Sequence, residues 1–219
     1  MKVYLIPGLG FDYRIFERLE LNKIDFEYLN WIDPKKNETI KDYAIRFSNR
    51  IDDNLKEIVL VGHSLGGIIA QEIAAIRSVR KIILISCIKT RKELPLHFRI
   101  VKPLRIHKFF SKKLTAKTIK YWGKDHDYET PEEQELVVDM VSKQTNNYLR
   151  WALKQLSVWK KPEVDAGTKI FQINGDLDKT FPLKLIVQPN EIVKNGGHFM
   201  VYKHSKVINT LIVREIASY

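Results

Sequence analysis

Val61-Gly62-His63-Ser64-Leu65-Gly66-Gly67-Ile68-Ile69-Ala70-Gln71 is the stretch that decides how this 219-residue chain is read. Four apolar residues, Ile58 to Val61, lead into it, and a run with helical character, Ile68 to Ile76, leaves it. A short apolar run closed by glycine suits a strand buried on both faces. A plain connecting loop has no need of a serine between glycines at that junction. A backbone turn too tight for a Cβ on its flanks does need them. Such a turn strains the serine backbone and lifts its Oγ clear of the sheet.

The length suits one domain with a sizeable core, or a domain carrying an insertion. Hydrophobic residues make up 44% of the chain, which excludes a disordered polyelectrolyte. No apolar run approaches the ~20 residues of a membrane-spanning helix. The opening MKVYLIPGLG reads as a strand and a glycine turn, not as a signal peptide. The single cysteine, Cys87, allows no intrachain disulfide. A soluble cytoplasmic protein is the resulting expectation.

The net charge of +11 is localised. Lys89 to Lys124 hold 12 Lys or Arg and one acid, Glu93, so that segment accounts for all of it. The chain reads as a neutral protein with one basic insert.

Apolar runs alternate with helical patterns. Strands are expected at Val3–Ile6, Phe26–Leu29, Ile58–Val61, Lys81–Ser86, Lys169–Ile173 and Glu191–Val193. Helices are expected at Tyr13–Leu19, with Asp12 as N-cap, from Thr39 to about Asn54, after Ser64, and from Val201 to Ser218. Strands apolar on both faces and separated by helices argue for an α/β fold with a parallel sheet covered on both sides. Residues 88–165 break the alternation and show no convincing strand. Thr130-Pro131-Glu132-Glu133 opens a helix there, and Asn146 or Asn147 could cap another. This region is expected to be a helical lid, 88–165, inserted after the fourth strand into a core of 1–87 and 166–219.

Gly62-His63-Ser64-Leu65-Gly66 is a Gly-x-Ser-x-Gly nucleophile elbow in strand–turn–helix context. Three further stretches accompany it: Ile6-Pro7-Gly8-Leu9-Gly10, Gly175-Asp176-Leu177-Asp178-x-x-x-Pro182, and Gly196-Gly197-His198-Phe199. On these motifs most of the chain resembles the α/β-hydrolase family. The resemblance implies Ser64 as nucleophile, His198 as base and Asp178 as the acid that orients it, with Asp176 a rival. It implies oxyanion donors at the backbone N–H groups of Leu9 and Leu65. Proline stands at position 7 where the family usually has histidine. The two N-terminal strands common in the family have no counterpart, so the expected sheet is reduced, wholly parallel and about six-stranded.

The chemistry fits these residue types. Imidazole accepts the proton of an otherwise weak hydroxyl nucleophile, and a carboxylate fixes the imidazole tautomer. The expected activity is cleavage of a carboxylic ester through an acyl-enzyme, with no cofactor and no metal. A thioesterase or lyase on the same triad is the enzymatic alternative, and a non-catalytic receptor on a hydrolase scaffold is the other. A phosphate-binding loop at Ser64 is disfavoured by the accompanying turns. Asp125-His126-Asp127 reads as solvated surface rather than a metal site. Trp122, Trp151 and Trp159 read as lid packing. Expected partners are a small-molecule ester, neutral or anionic, and no specific nucleic acid. A weak contact of the basic lid with an anionic membrane surface stays open, as does the oligomeric state.

Overall fold

The computed structural model describes residues 1–55 and 57–218, with side chains at 120, 122, 124 and 125 outside the description. The six strands are β1 (Lys2–Ile6), β2 (Phe26–Tyr28), β3 (Ile58–His63), β4 (Lys81–Ile85), β5 (Lys169–Gly175) and β6 (Glu191–Val193). They form one wholly parallel sheet in the order β2-β1-β3-β4-β5-β6. Every residue of β3 and β4 is buried. Successive side chains point to opposite faces, so both faces of the sheet centre are covered. Their runs of isoleucine, leucine and valine are therefore unbroken rather than alternating.

Eight helices complete the chain among the described residues: α1 (Ile40–Ser48), α2 (Leu65–Ala74), α3 (Leu96–Arg99), α4 (Lys112–Trp122), α5 (Pro131–Ser142), α6 (Asn146–Val158), α7 (Met200–Lys203) and α8 (Ser205–Ala217). Four of them, α3 to α6, lie between β4 and β5. Thr39 caps α1 through a reciprocal bond with Asp42, and Thr130 caps α5 through Glu133, with Pro131 at the first position.

Several boundaries differ from expectation for local reasons. The first helical segment is a short 3₁₀ turn, Tyr13–Phe16, although Asp12 does cap it. α1 stops at Ser48, well before Asn54. Asp52 accepts from the Asn54 backbone and amide, a local turn that competes with helix. β5 runs on to Gly175, and β3 to His63. The C-terminal helix breaks at His204, whose backbone leaves the helical region (φ −104, ψ 33). The cap of α6 is Thr145, which accepts from Tyr148 N–H, and not Asn146 or Asn147. Asn146 instead accepts from Lys112 N–H, and Asn147 donates to the Pro34 carbonyl.

Trp151 and Trp159, between β4 and β5, pack on the core. Trp159 is buried and donates to Glu72 of α2. Trp151 donates to the Glu38 carbonyl and lies 4.3 Å from the Tyr43 ring. The Trp122 side chain falls outside the described residues.

Candidate active site

Four turns at the carboxyl ends of β1, β3, β5 and β6 converge, the edge where parallel α/β sheets place their ligand sites. Ser64 stands between β3 and α2 with φ 52 and ψ −119, a conformation sparsely populated by residues with a Cβ. Its amide donates to the Ile85 carbonyl of β4, which ties the strained residue to the neighbouring strand. A Cβ on Gly66 would sit 2.1 Å from the Ile6 carbonyl oxygen, so only glycine lets α2 start this close to β1.

The Ser64 Oγ lies 3.0 Å from His198 Nε2. His198 Nδ1 lies 2.9 Å from Asp178 Oδ2 and 3.2 Å from Oδ1. Asp178 Oδ1 also accepts from the backbone N–H groups of Thr180 and Phe181, at 2.8 and 2.9 Å. All three side chains are buried. Burial alone would push the Asp178 pKa up. The His198 charge and hydrogen bond, with the two amides, outweigh burial and hold it below the usual carboxylate range. An ionised carboxylate can only accept, so Nδ1 of His198 donates to Asp178, which in the neutral imidazole leaves Nε2 as an acceptor facing the serine hydroxyl. Asp176 is exposed, and Asp178 is the carboxylate at His198 Nδ1.

The acid turn and the histidine turn are joined through backbone. Leu177 N–H donates to the Gly196 carbonyl, and Asp176 N–H to that of Val193. A Cβ on Gly175 would meet the Gly196 carbonyl oxygen at 2.0 Å. His63 adds a brace from below. Its Nε2 lies 2.9 Å from the His198 carbonyl, which can only accept, so the Nε2–H tautomer donates there. Burial, and then the nearby His198, lower the His63 pKa to about 3, so this imidazole stays neutral.

The serine opens on a cavity of about 340 Å³, near the small end of ligand sites. Its wall is mainly apolar, with Phe98, Phe110, Leu153 and Leu156, all from the stretch between β4 and β5. Leu9 lines it as well. Leu65 is the first residue of α2, where a helix leaves its N–H groups without intrahelical partners.

Some wall residues escaped the sequence reading. Asp125-His126-Asp127 is not simple solvated surface. His126 lines the cavity with its Nδ1 2.8 Å from the Thr180 hydroxyl, so it braces the acid turn. Asp127 is half-buried and paired with Lys203 at 2.7 Å, while the Asp125 side chain lies outside the described residues. Tyr128 is buried in the same wall, and burial, with the negative charges of Asp178 and Asp127, pushes its hydroxyl pKa up. His97 lines the cavity too, with no motif around it in the sequence. Cys87 is buried beneath α2, 2.6 Å from where a Gly67 Cβ would stand, and burial pushes its thiol pKa up. No group of three or more His, Cys, Asp or Glu able to hold a metal ion occurs among the described residues. None of the described helices is long and apolar enough to cross a membrane.

Residues 3–209 match the family model described as the alpha/beta hydrolase family, and the chain belongs to that family. Among solved structures it is similar to an esterase from Exiguobacterium antarcticum, with TM-score 0.75 and 17% identity over 99% of this chain and 91% of that one. It is similar to a thermophilic esterase from Thermogutta terrifontis, with TM-score 0.70 and 17% identity over 100% of this chain and 90% of that one. It is also similar to the enol-lactonase from Burkholderia xenovorans LB400, with TM-score 0.70 and 13% identity over 97% of this chain and 89% of that one. A search of curated proteins finds no match.

Proposed function

We propose that the chain is a serine hydrolase that cleaves carboxylic esters through an acyl-enzyme. One observation carries this reading: the hydrogen-bond chain from Ser64 through His198 to a buried Asp178, opening on an apolar cavity. Ser64 Oγ attacks the ester carbonyl while its proton passes to His198 Nε2. The carbonyl oxygen becomes an oxyanion facing the N–H groups of Leu9 and Leu65. Donors of this kind contribute about 3–4 kcal/mol each where they have been removed from other enzymes. Collapse of the tetrahedral adduct breaks the C–O bond, and the imidazolium returns its proton to the leaving alcohol. Water then enters, loses a proton to the same nitrogen, and releases the acid and free Ser64. Asp178 stabilises the imidazolium at both stages and stays ionised.

The wall around Ser64 favours an apolar acyl group over a charged one. Two of the similar proteins are esterases by name, which agrees with ester chemistry. The test is turnover of p-nitrophenyl esters of graded acyl length, with acyl thioesters in parallel, by wild type and Ser64→Ala. Ester turnover that is lost in Ser64→Ala is expected. Absence of any ester turnover by folded wild-type protein would overturn the reading.

A further inference from the structure

Outside the cavity, the most unusual surface is the outer side of the segment leading from β4 to α5. Residues 94–123 contain eight Lys or Arg and no Asp or Glu. Large apolar side chains stand exposed among these bases. Leu96, Leu104 and Phe109 are 72, 62 and 75% exposed, and Ile100 and Ile106 are exposed as well. Ile100 N–H donates to the Leu96 carbonyl, and Leu104 N–H to the Ile100 carbonyl. These two successive bonds place Leu96, Ile100 and Leu104 one turn apart, in α3 and the turn that follows it. Lys102, Arg105 and Lys108 are exposed between them. With Lys113 and Lys117, these bases form no ion pair among the described residues. Leu96 immediately precedes the cavity-lining His97 and Phe98, and Phe109 precedes the cavity-lining Phe110.

We propose that this face docks peripherally on an anionic phospholipid bilayer. Leu96, Ile100, Leu104 and Phe109 enter the headgroup boundary, and Lys102, Arg105 and Lys108 lie over the lipid phosphates. Charge alone would suit any polyanion. The exposed aliphatic row argues for lipid, because a nucleic-acid backbone gives such side chains nothing to enter, whereas an interfacial segment combines both features. Each base near an anionic surface raises partitioning about fivefold, so three acting together give about a hundredfold. Screening shortens to about 3 Å at molar salt, so the gain should collapse there. Docking in this orientation brings the segment that walls the cavity against the membrane.

The test is sedimentation of the full chain with phosphatidylcholine vesicles, with and without phosphatidylglycerol, at low and high salt. The wild type should bind the anionic vesicles at least tenfold more tightly than neutral ones, and high salt should erase the difference. Lys102/Arg105/Lys108→Glu should lose that preference. Leu104/Phe109→Ser should weaken binding about tenfold while keeping its salt dependence. Both variants should hydrolyse a soluble short-chain ester like wild type, which shows that they fold. Ser64→Ala should bind vesicles unchanged, so the docking claim stands or falls apart from the ester claim. No binding to anionic vesicles at low salt would overturn the proposal. So would equal binding by the two surface variants and wild type, or tighter binding to duplex DNA than to vesicles at matched charge.

Discussion

Two regions of the molecule obey opposite rules. At the carboxyl edge of the sheet, backbone touches backbone. Ser64 hangs from Ile85, Leu177 from Gly196, and the glycines at 66 and 175 leave no room for a methyl group. On the outer side of residues 96–109, Leu96, Leu104 and Phe109 stand out in water beside exposed Lys102, Arg105 and Lys108. The first region holds three side chains in close register, as proton transfer between a serine and a histidine oriented by a carboxylate would demand. The second specifies only a composition, basic and apolar, as contact with an extended surface would demand. Substitutions should therefore act steeply in the first region and weakly in the second.

The steepest effect is expected at the acid. Asp178→Asn keeps the shape but removes the acceptor that fixes the His198 tautomer. Ester kcat should fall about 10⁴-fold, as in the serine-protease triad, while Asp176→Asn should stay within about twofold. A large loss at Asp176 with a small one at Asp178 would move the acid to the exposed position.

Next comes Gly66→Ala, whose new Cβ would stand 2.1 Å from the Ile6 carbonyl oxygen. The clash involves backbone on both sides and cannot be relieved by a rotamer change. A loss of about 3 kcal/mol or more in urea unfolding is expected. A change below about 1 kcal/mol would show that the elbow can open, and would weaken the contrast between the regions.

His63 gives a pH-dependent test of the same rigidity. Its pKa falls from 6.5 to about 3 on folding, chiefly through burial. The unfolded chain thus binds the proton more readily inside that window. The neutral histidine stabilises the fold in full above 6.5, and this contribution is lost as pH falls toward 3. Each pH unit inside the window should remove about 1.4 kcal/mol. His63→Gln keeps a donor for the His198 carbonyl and has nothing to titrate. Its stability should decline less steeply than that of wild type between neutral and mildly acidic pH. Parallel curves would mean that the buried imidazole charges without cost.

The smallest effect is expected in the exposed segment. Phe109→Ser and Lys102→Ala should each shift stability by less than about 0.5 kcal/mol. A loss above about 2 kcal/mol at either position would show hidden packing and erase the distinction drawn above.

The same contrast explains which parts of the fold could be read from the chain. The elbow, the acid turn and the histidine turn need glycine at fixed offsets from the reactive side chain, and that spacing is visible in one dimension. Unbroken apolar runs likewise announce strands buried on both faces. The α6 cap was not legible, because Thr145, Asn146 and Asn147 are all competent caps. Long-range partners decide among them, with Lys112 and Pro34 occupying the two asparagines. The end of α1 was hidden for a similar reason, since the Asp52–Asn54 turn outcompetes helix only locally. His126 and Tyr128 gave no signal because their place in the wall depends on how the stretch between β4 and β5 folds back onto Thr180 and Phe199. A histidine between acids, seen alone, looks like surface.

The central claim is that Ser64 is a nucleophile activated through His198. A fluorophosphonate probe reacts preferentially with a serine so activated, and peptide mass spectrometry locates the adduct. Stoichiometric labelling on the peptide carrying Ser64, lost in both Ser64→Ala and His198→Ala, is the predicted result. An adduct on another residue, or no adduct on folded wild-type protein, would contradict it.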